Sequence, residues 1–422
     1  MAKYIAIIGT LDTKGDQVEY IKRKIEEEGQ QPLVIDIGVV GDAPFKPTYD
    51  RHQIAHNAGT SIEGILAMKD RRAGLEKMGE GAAAILKELQ SKDELSGVLA
   101  VGGSQGTAVS LPIMKTVRLG IPKLLLSTIA YSPVIIPDMV GGEDLMMLPW
   151  VAGLWGLNSI SKQSLETAAA AISGAARAYS KRPVSMKKVV GVSSLGGAVN
   201  RYMNELKPAL EERGYEVSVF HVLGMPGRMY ERAISDGLIS VSLDLSAGVE
   251  LLNEMIGGVY TAGEHRLEAA GKIGIPQIVS PGAIEAFHWG KDRPFPTKYK
   301  DRLYIWHTSL HRTIRANARE MAAVGTLMAE KLNRANGATT VVLPLQGNGP
   351  MPIPSFSSPE AEAESRKGWA GFRRSIKRKL RPEIKYIEID VTFNDPLYTN
   401  TVLKLFDEMM QGEVGRSAVH PL

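Results

Sequence analysis

Two short stretches carry the residue types that hold a phosphate. Gly9-Thr10-Leu11-Asp12-Thr13-Lys14-Gly15 follows the apolar run Tyr4–Ile8, and Gly102-Gly103-Ser104-Gln105-Gly106-Thr107 follows Ser96–Val101. Glycines let backbone amides approach an anion, hydroxyls add donors, and Lys14 supplies a point charge. Both stretches read as strand, turn and helix N-terminus, where unpaired amides favour an anion. Asp36 closes a second apolar run, Leu33–Ile35, and can accept from ribose hydroxyls or cap its own turn. Asp12 or Thr13 can equally be a helix N-cap. With Ser127 and Thr128 after Leu124–Leu126, the set is Gly9, Thr10, Asp12, Thr13, Lys14, Asp36, Gly102, Gly103, Ser104, Gly106, Thr107, Ser127 and Thr128. The spacing is neither that of a P-loop nor GxGxxG.

The second half offers Ser193, Gly196 and Gly197 after its first strand, with Arg228 and Arg266 as a bidentate clamp for a small anionic substrate or as plain salt bridges. Magnesium, if carried by a nucleotide, would look to Asp12 or Asp144, since Mg²⁺ takes one or two carboxylates plus phosphate oxygens. His52 and His56, and His307 and His311, stand four apart, but no HExxH glutamate or third ligand accompanies either pair. GxSxG is absent, and no catalytic residue can be assigned.

These loops need a scaffold, and the chain writes it twice. Lys3–Asp36 aligns without a gap on Lys188–His221 over 34 positions, Gly29 falling on Gly214. Each copy is a β-run, a glycine turn, a helix ending in glycine and a second β-run. Further on, SGVLAVGG (Ser96–Gly103) pairs with GGVYTAGE (Gly257–Glu264), and LGIPKLLLST (Leu119–Thr128) with IGIPQIVSPG (Ile273–Gly282). The expectation is two internally duplicated, Rossmann-like, doubly wound α/β domains with mainly parallel sheets, 1–183 and 184–422, joined near Ser180–Lys187. Additional elements are a helix over Ser161–Ala178, strands near Leu303–Thr308, Thr339–Leu345 and Tyr386–Phe393, and a helix over Thr313–Asn333. The proline-dense Pro350–Pro359 reads as a loop, and the basic Arg366–Arg381 as the end of one amphipathic helix whose acids lead and bases trail.

Composition excludes several classes. A chain of 422 residues with 44% hydrophobic and 23% charged residues is globular, and a net charge of +4 over so large a surface implies neither a nucleic-acid nor a membrane partner. Zero cysteines remove thiolate catalysis and cysteine-held metals. No signal-peptide pattern and no long apolar window are present, so a cytoplasmic location is expected. The alanine-rich Ser161–Ala178 stretch is apolar nearly all round, which suggests a core helix or a homodimer contact.

GGSQGT is similar to the GGDGT turn of NAD kinases and phosphofructokinases, with Ser104 in the acidic position. More broadly, IGTLDTKG, Asp70–Leu86, VGGSQGT, PKLLLST, GLNSIS and GIPQIVSPG resemble the bacterial and plant family typified by the ATP-binding N-terminal domain of the plant tobamovirus-resistance protein. That resemblance implies two linked Rossmann-like subdomains and ATP binding, with no reaction attached. The chain departs from the family's pattern at Tyr131-Ser132-Pro133-Val134, at Asn348-Gly349-Pro350-Met351 and at Gly224–Glu231. The expected function is an ATP-binding protein, with Mg²⁺ as companion, that acts on or senses a small anionic metabolite between its domains. The alternative is a nucleotide-dependent protein-interaction module.

Overall fold

The computed structural model describes residues 3–153, 155–182, 187–196, 199–348 and 358–417, with the side chains of Arg71 and of residues 413–417 left out. The chain divides into two compact units, Met1–Ser185 and Met186–Leu422. Half of the expected joint near Ser180–Lys187 falls outside the described residues, as do Gly197 and most of Pro350–Pro359.

The first unit is built on β1 (Tyr4–Gly9), β2 (Gln31–Asp36), β3 (Leu95–Gly102), β4 (Lys123–Ser127) and β5 (Leu145–Pro149). All pairings are parallel and the order is β2-β1-β3-β4-β5. Side chains alternate between the faces. Ile5 and Ile7 meet the helices Leu11–Glu27 and Ser159–Ser180 through Ile21, Ile25, Leu165 and Ile172, while Ala6 and Ile8 join a separate core with Ile54, Met78, Ile85 and Ile113. Burial on both faces is why these strands read as unbroken apolar runs.

The second unit repeats the plan. It contains β6 (Val189–Ser194), β7 (Glu216–His221), β8 (Val241–Asp244), β9 (Gln277–Val279), then β10 (Ala286–Gly290), β11 (Tyr304–Thr308) and β12 (His311–Arg315), and finally β13 (Thr339–Pro344) and β14 (Lys385–Ile389). The main sheet runs β7-β6-β8-β9-β13-β14, the order of the first unit extended by one strand, and β10-β12-β11 form a small antiparallel sheet inserted between β9 and β13. The structure therefore has the duplicated α/β architecture that the repeated βαβ pattern implies.

Two details differ from expectation. GGVYTAGE is not a strand: residues 257–264 are irregular, and the counterpart of β3 is β8, which is shorter and carries the polar Ser242 and Asp244 among its four residues. The helix expected from Thr313 begins at Ala318, because the β-branched Thr313 and Ile314 pair in β12 and Asn317 forms a capping box with Glu320. Helix Ser159–Ser180 turns Leu165, Ala168, Ala169, Ile172 and Ala176 into the core of its own unit. Its apolar residues thus take the core placement, the first of the two that its composition allows. The basic segment behaves as expected: helix Pro359–Lys379 buries Trp369, Phe372 and Ile376 in the core.

Candidate functional site

In the first unit the chain leaves β1 toward β2 and returns past it to β3, so the crevice beyond the C-terminal ends of β1 and β3 is the topological switch point. A pocket of about 470 Å³ lies there, lined by Thr10, Asp12, Thr13 and Lys14, by Gly103–Gly106, by the apolar Val39, Val40, Ile65, Leu66 and Leu75, and by Lys69 and Asp70.

Three helix N-termini reach this crevice; that of Arg71–Ser91 is capped by Asp70, and the other two are electrically unlike. The first, Leu11–Glu27, is already answered. Asp36, 1% exposed at the end of β2, accepts from Leu11 N at 3.0 Å and Gly38 N at 2.8 Å. Burial pushes its carboxyl up and the two amides pull it back. Asp36 thus clamps the head of the helix and does not line the pocket, which moves it away from the ribose role. Asp12 in the first turn adds a second carboxylate: Oδ2 accepts from Val40 N at 3.2 Å and Gly41 N at 3.4 Å. Its other oxygen, Oδ1, is buried without a partner. Thr10 is the N-cap but its side chain makes no capping bond; its hydroxyl lies 2.9 Å from that of Thr13.

The second helix, Ser104–Met114, has no such answer. Gly103 is its N-cap, with no side chain to offer, and no acid stands in its first turn. Its leading amides lack intrahelical acceptors and the positive end of its dipole faces the pocket lined by Gly103, Ser104, Gln105 and Gly106. Two glycines serve different needs. A Cβ at Gly102 would meet Gly106 Cα at 2.7 Å, so Gly102 lets the turn fold; a Cβ at Gly103 finds only Thr128 Oγ1, at 3.7 Å, so Gly103 leaves space.

Lys14 reaches Gly153 O at 3.2 Å and lies over the Trp150 ring, 5.2 Å from its centre, and burial lowers its pKa. Thr107 and Ser127, expected at a ligand, are wholly buried and bond each other at 2.6 Å, with Ile129 N donating to Ser127 at 3.1 Å. They fasten the helix to β4. Thr128 is exposed, and Gly9 packs under Val18. Asp144 is corrected outright: it precedes β5, at the opposite end of the sheet, where it accepts from Gly120 N at 2.7 Å and pairs with the buried Lys123. Sequence reasoning missed the lining by Val39, Val40, Ile65 and Leu66, whose apolar residues look like ordinary core.

The second unit closes the position that the first leaves open. Arg266, expected to clamp an anion, is fully buried and bonded to three carboxylates: Glu250 Oε2 at 2.6 Å, Glu231 Oε1 at 2.9 Å and Asp244, whose Oδ1 lies 2.8 Å away. One positive charge shared three ways leaves burial dominant at Glu250, whose carboxyl is pushed up to about 7. Ser193 donates to Asp244 at 2.5 Å and accepts from Ser246 N at 2.9 Å, a structural link rather than a ligand contact. Gly196 accepts at its carbonyl from Val199 N at 2.9 Å; Arg228 packs against Gly263, whose added Cβ would lie 3.1 Å from Nη1. Among the described residues, no group of three or more His, Asp or Glu side chains is arranged to hold a metal, the histidine pairs included, and no helix is long and apolar enough to cross a membrane.

The fold and pocket define a class: a duplicated, doubly wound α/β protein with a crevice at the switch point of its first sheet. The comparisons narrow this to a family. The models of the uncharacterised protein family UPF0261 match in both halves, its N-terminal domain over residues 3–181 and its C-terminal domain over 187–410, and the chain belongs to that family. A UPF0261 protein of Brucella suis is 36% identical over 96% of this chain and 94% of its own length, and one of Clostridium tetani is 35% identical over 97% and 100%. The tomato ToMV resistance protein Tm-1 is 26% identical over 95% of this chain and 55% of its own length, which agrees with the plant resemblance read from the motifs.

Proposed function

We propose that the first unit binds a nucleoside polyphosphate, with ATP the expected one. The phosphates lie on the open amides ahead of helix Ser104–Met114, and the nucleoside lies toward Val39, Val40 and Leu66. One observation carries the reading. Of the helix ends at this pocket of about 470 Å³, which Lys14 also lines, that of Ser104–Met114 is the one with neither a first-turn carboxylate nor a side-chain cap. A magnesium ion arriving with the nucleotide would look to Asp12, which lines the same pocket. Calorimetric titration with ATP and Mg²⁺ tests this directly. Lys14→Ala should weaken ATP by about tenfold or more, the loss of one charge-assisted contact; unchanged affinity would remove Lys14 from the site.

A second reading has its own support. Tyr131, Val134 and Ile136 beyond β4, and Val151, Trp155 and Ile160 beyond β5, are exposed apolar side chains. They favour a nucleotide-dependent interaction module, and the virus-resistance name of the tomato relative leans the same way. ADP release on incubation with ATP, lost in the Lys14 variant, supports an enzyme; binding without turnover supports the module.

A further inference from the structure

The small sheet inserted between β9 and β13 has two edges, and they are treated differently. Along β10, Val259 N donates to His288 O at 3.0 Å and His288 N donates to Asn253 Oδ1 at 3.0 Å, so that edge is covered. β11 is the other edge. Arg315 N donates to Leu303 O at 3.0 Å, which makes Leu303 and Arg315 a hydrogen-bonded pair, and two residues on Ile305 and Thr313 are the next such pair in the register. Tyr304 and Trp306 alternate with these, so their N–H and C=O groups point away from β12, and among the described residues no strand pairs with them.

An open edge is a template for another strand, and proteins guard such edges with charges, proline or a covering segment. The outer strands of the two main sheets follow that rule: β2 holds Pro32, β5 holds Pro149, β7 holds Glu216, and β14 holds Lys385 and Glu388. β11, Tyr-Ile-Trp-His-Thr, has no proline, lysine, arginine or acid. A bulge after Trp306 only limits the regular edge to Tyr304–Trp306. The surroundings are apolar as well: Leu303 and Tyr304 are each 39% exposed, Trp306 50% and Leu310 65%. The cation beside them, Arg312, is stacked on Phe295, Tyr304 and Trp306, 4.5 Å from the centre of the last ring.

We infer that β11 pairs antiparallel with β11 of a second copy about a two-fold axis at Ile305, joining the two inserted sheets into one of six strands. That axis sets Tyr304 of each copy opposite Trp306 of the other, so every outward N–H and C=O of the regular edge is used. No charged residue in the strand opposes its own image, and a two-fold pairing closes on itself, so assembly stops at two. The inference is independent of the nucleotide reading.

The chain has no cysteine, so single cysteines report the pairing cleanly. Residues facing each other at such an axis have Cα atoms about 4.5 Å apart, within the range of about 4.4–6.8 Å that a disulfide spans. Under mild oxidation Ile305→Cys should give a disulfide-linked dimer from most of the chain, and Leu310→Cys, more exposed but off the axis, less than about a tenth as much. In sedimentation the full chain should be a dimer that dissociates on dilution, and Trp306→Lys, with its urea midpoint kept, a monomer. Should Trp306→Lys lose its fold, the two cysteine variants decide alone. A parent chain that stays monomeric at about 100 µM overturns the inference, whatever other strand the edge accepts. Equal cross-linking at the two positions overturns it, and so does a dimer that a folded Trp306→Lys leaves intact.

Discussion

Gly102 and Gly103 are neighbours, yet the structure assigns their substitutions opposite consequences. At Gly103 the backbone has φ −79° and ψ −159°, an extended conformation open to valine, and an added Cβ meets nothing closer than 3.7 Å. Gly103→Val should therefore fold normally while placing two methyl groups over the amides of Ser104, Gln105 and Gly106. A hydrogen bond to a charged group is worth about 1.5–3 kcal/mol, so loss of even one contact weakens ATP by about tenfold to a hundredfold. Gly102→Ala is the converse. Its Cβ would stand 2.7 Å from Gly106 Cα and 2.8 Å from Gly106 C, backbone atoms of the following helix that cannot step aside. Overpacking of this kind costs about 1–3 kcal/mol of stability. Calorimetric affinity and urea midpoints, measured on both variants, give a crossed pattern: binding lost with stability kept at Gly103, stability lost at Gly102. If Gly103→Val binds ATP like the parent chain, no phosphate sits on this helix and the proposed orientation is wrong.

Other outcomes follow from the same contacts. Ser127→Ala strands the buried Thr107 hydroxyl and the Ile129 amide, so it should cost about 1–3 kcal/mol in urea unfolding without changing ATP affinity; a binding defect at full stability would return both hydroxyls to the ligand. Arg266→Met leaves Asp244, Glu231 and Glu250 without their shared cation and should destabilise the chain by about 3–5 kcal/mol, again with the nucleotide affinity of the first unit intact. Glu250 sets a pH dependence. With its folded pKa raised to about 7 from 4.5, the native state holds a proton that the unfolded chain has released, so stability falls as pH rises between those values and levels above. Glu250→Gln should flatten that fall in urea midpoints taken from pH 4.5 to 8, and an identical pH slope in the variant would discard Glu250 as its source.

Much of the fold was legible because both units write their first strand, helix and second strand in the same register. Ile8 aligns with Ser193 and Gly9 with Ser194, and each first strand is hydrogen-bonded to the second and third of its unit. The third strand was not legible in the second half. β8 has four residues, two of them polar, and it sits inside the buried Arg266 network, so it lacks the apolar run that announces β3. For the site, the glycines and Lys14 were visible, but which residues face a ligand was not. Thr107, Ser127 and Asp36 have the chemistry of ligand contacts and are occupied inside the protein, and only tertiary neighbours reveal that. The aliphatic lining was hidden for the opposite reason, since valine and leucine carry no chemical signature in a sequence.

The duplication makes the contrast between the units informative. In the common register Ala100 in β3 answers Asp244 in β8, so Gly102-Gly103-Ser104 answers Ser246-Ala247-Gly248, and Gly103 and Ala247 are both N-caps of the helix after the third strand. In the helical turn that follows Gly103 there is no acid, and a Cβ at Gly103 finds open space. Near Ala247 stand Asp244 and, in the first helical turn, Glu250, while a Cβ at Gly248 would meet Ile284 at 2.2 Å and Pro281 O at 2.9 Å. An anion approaching that helix would displace packed atoms and meet carboxylates. The charge that a phosphate would supply in the first unit is supplied permanently in the second by side chains, with Arg266 as their counter-ion. On the proposed reading the same turn serves a ligand in one copy where the other has a structural ion cluster, so nucleotide affinity should follow substitutions at Gly103 and ignore those at Arg266.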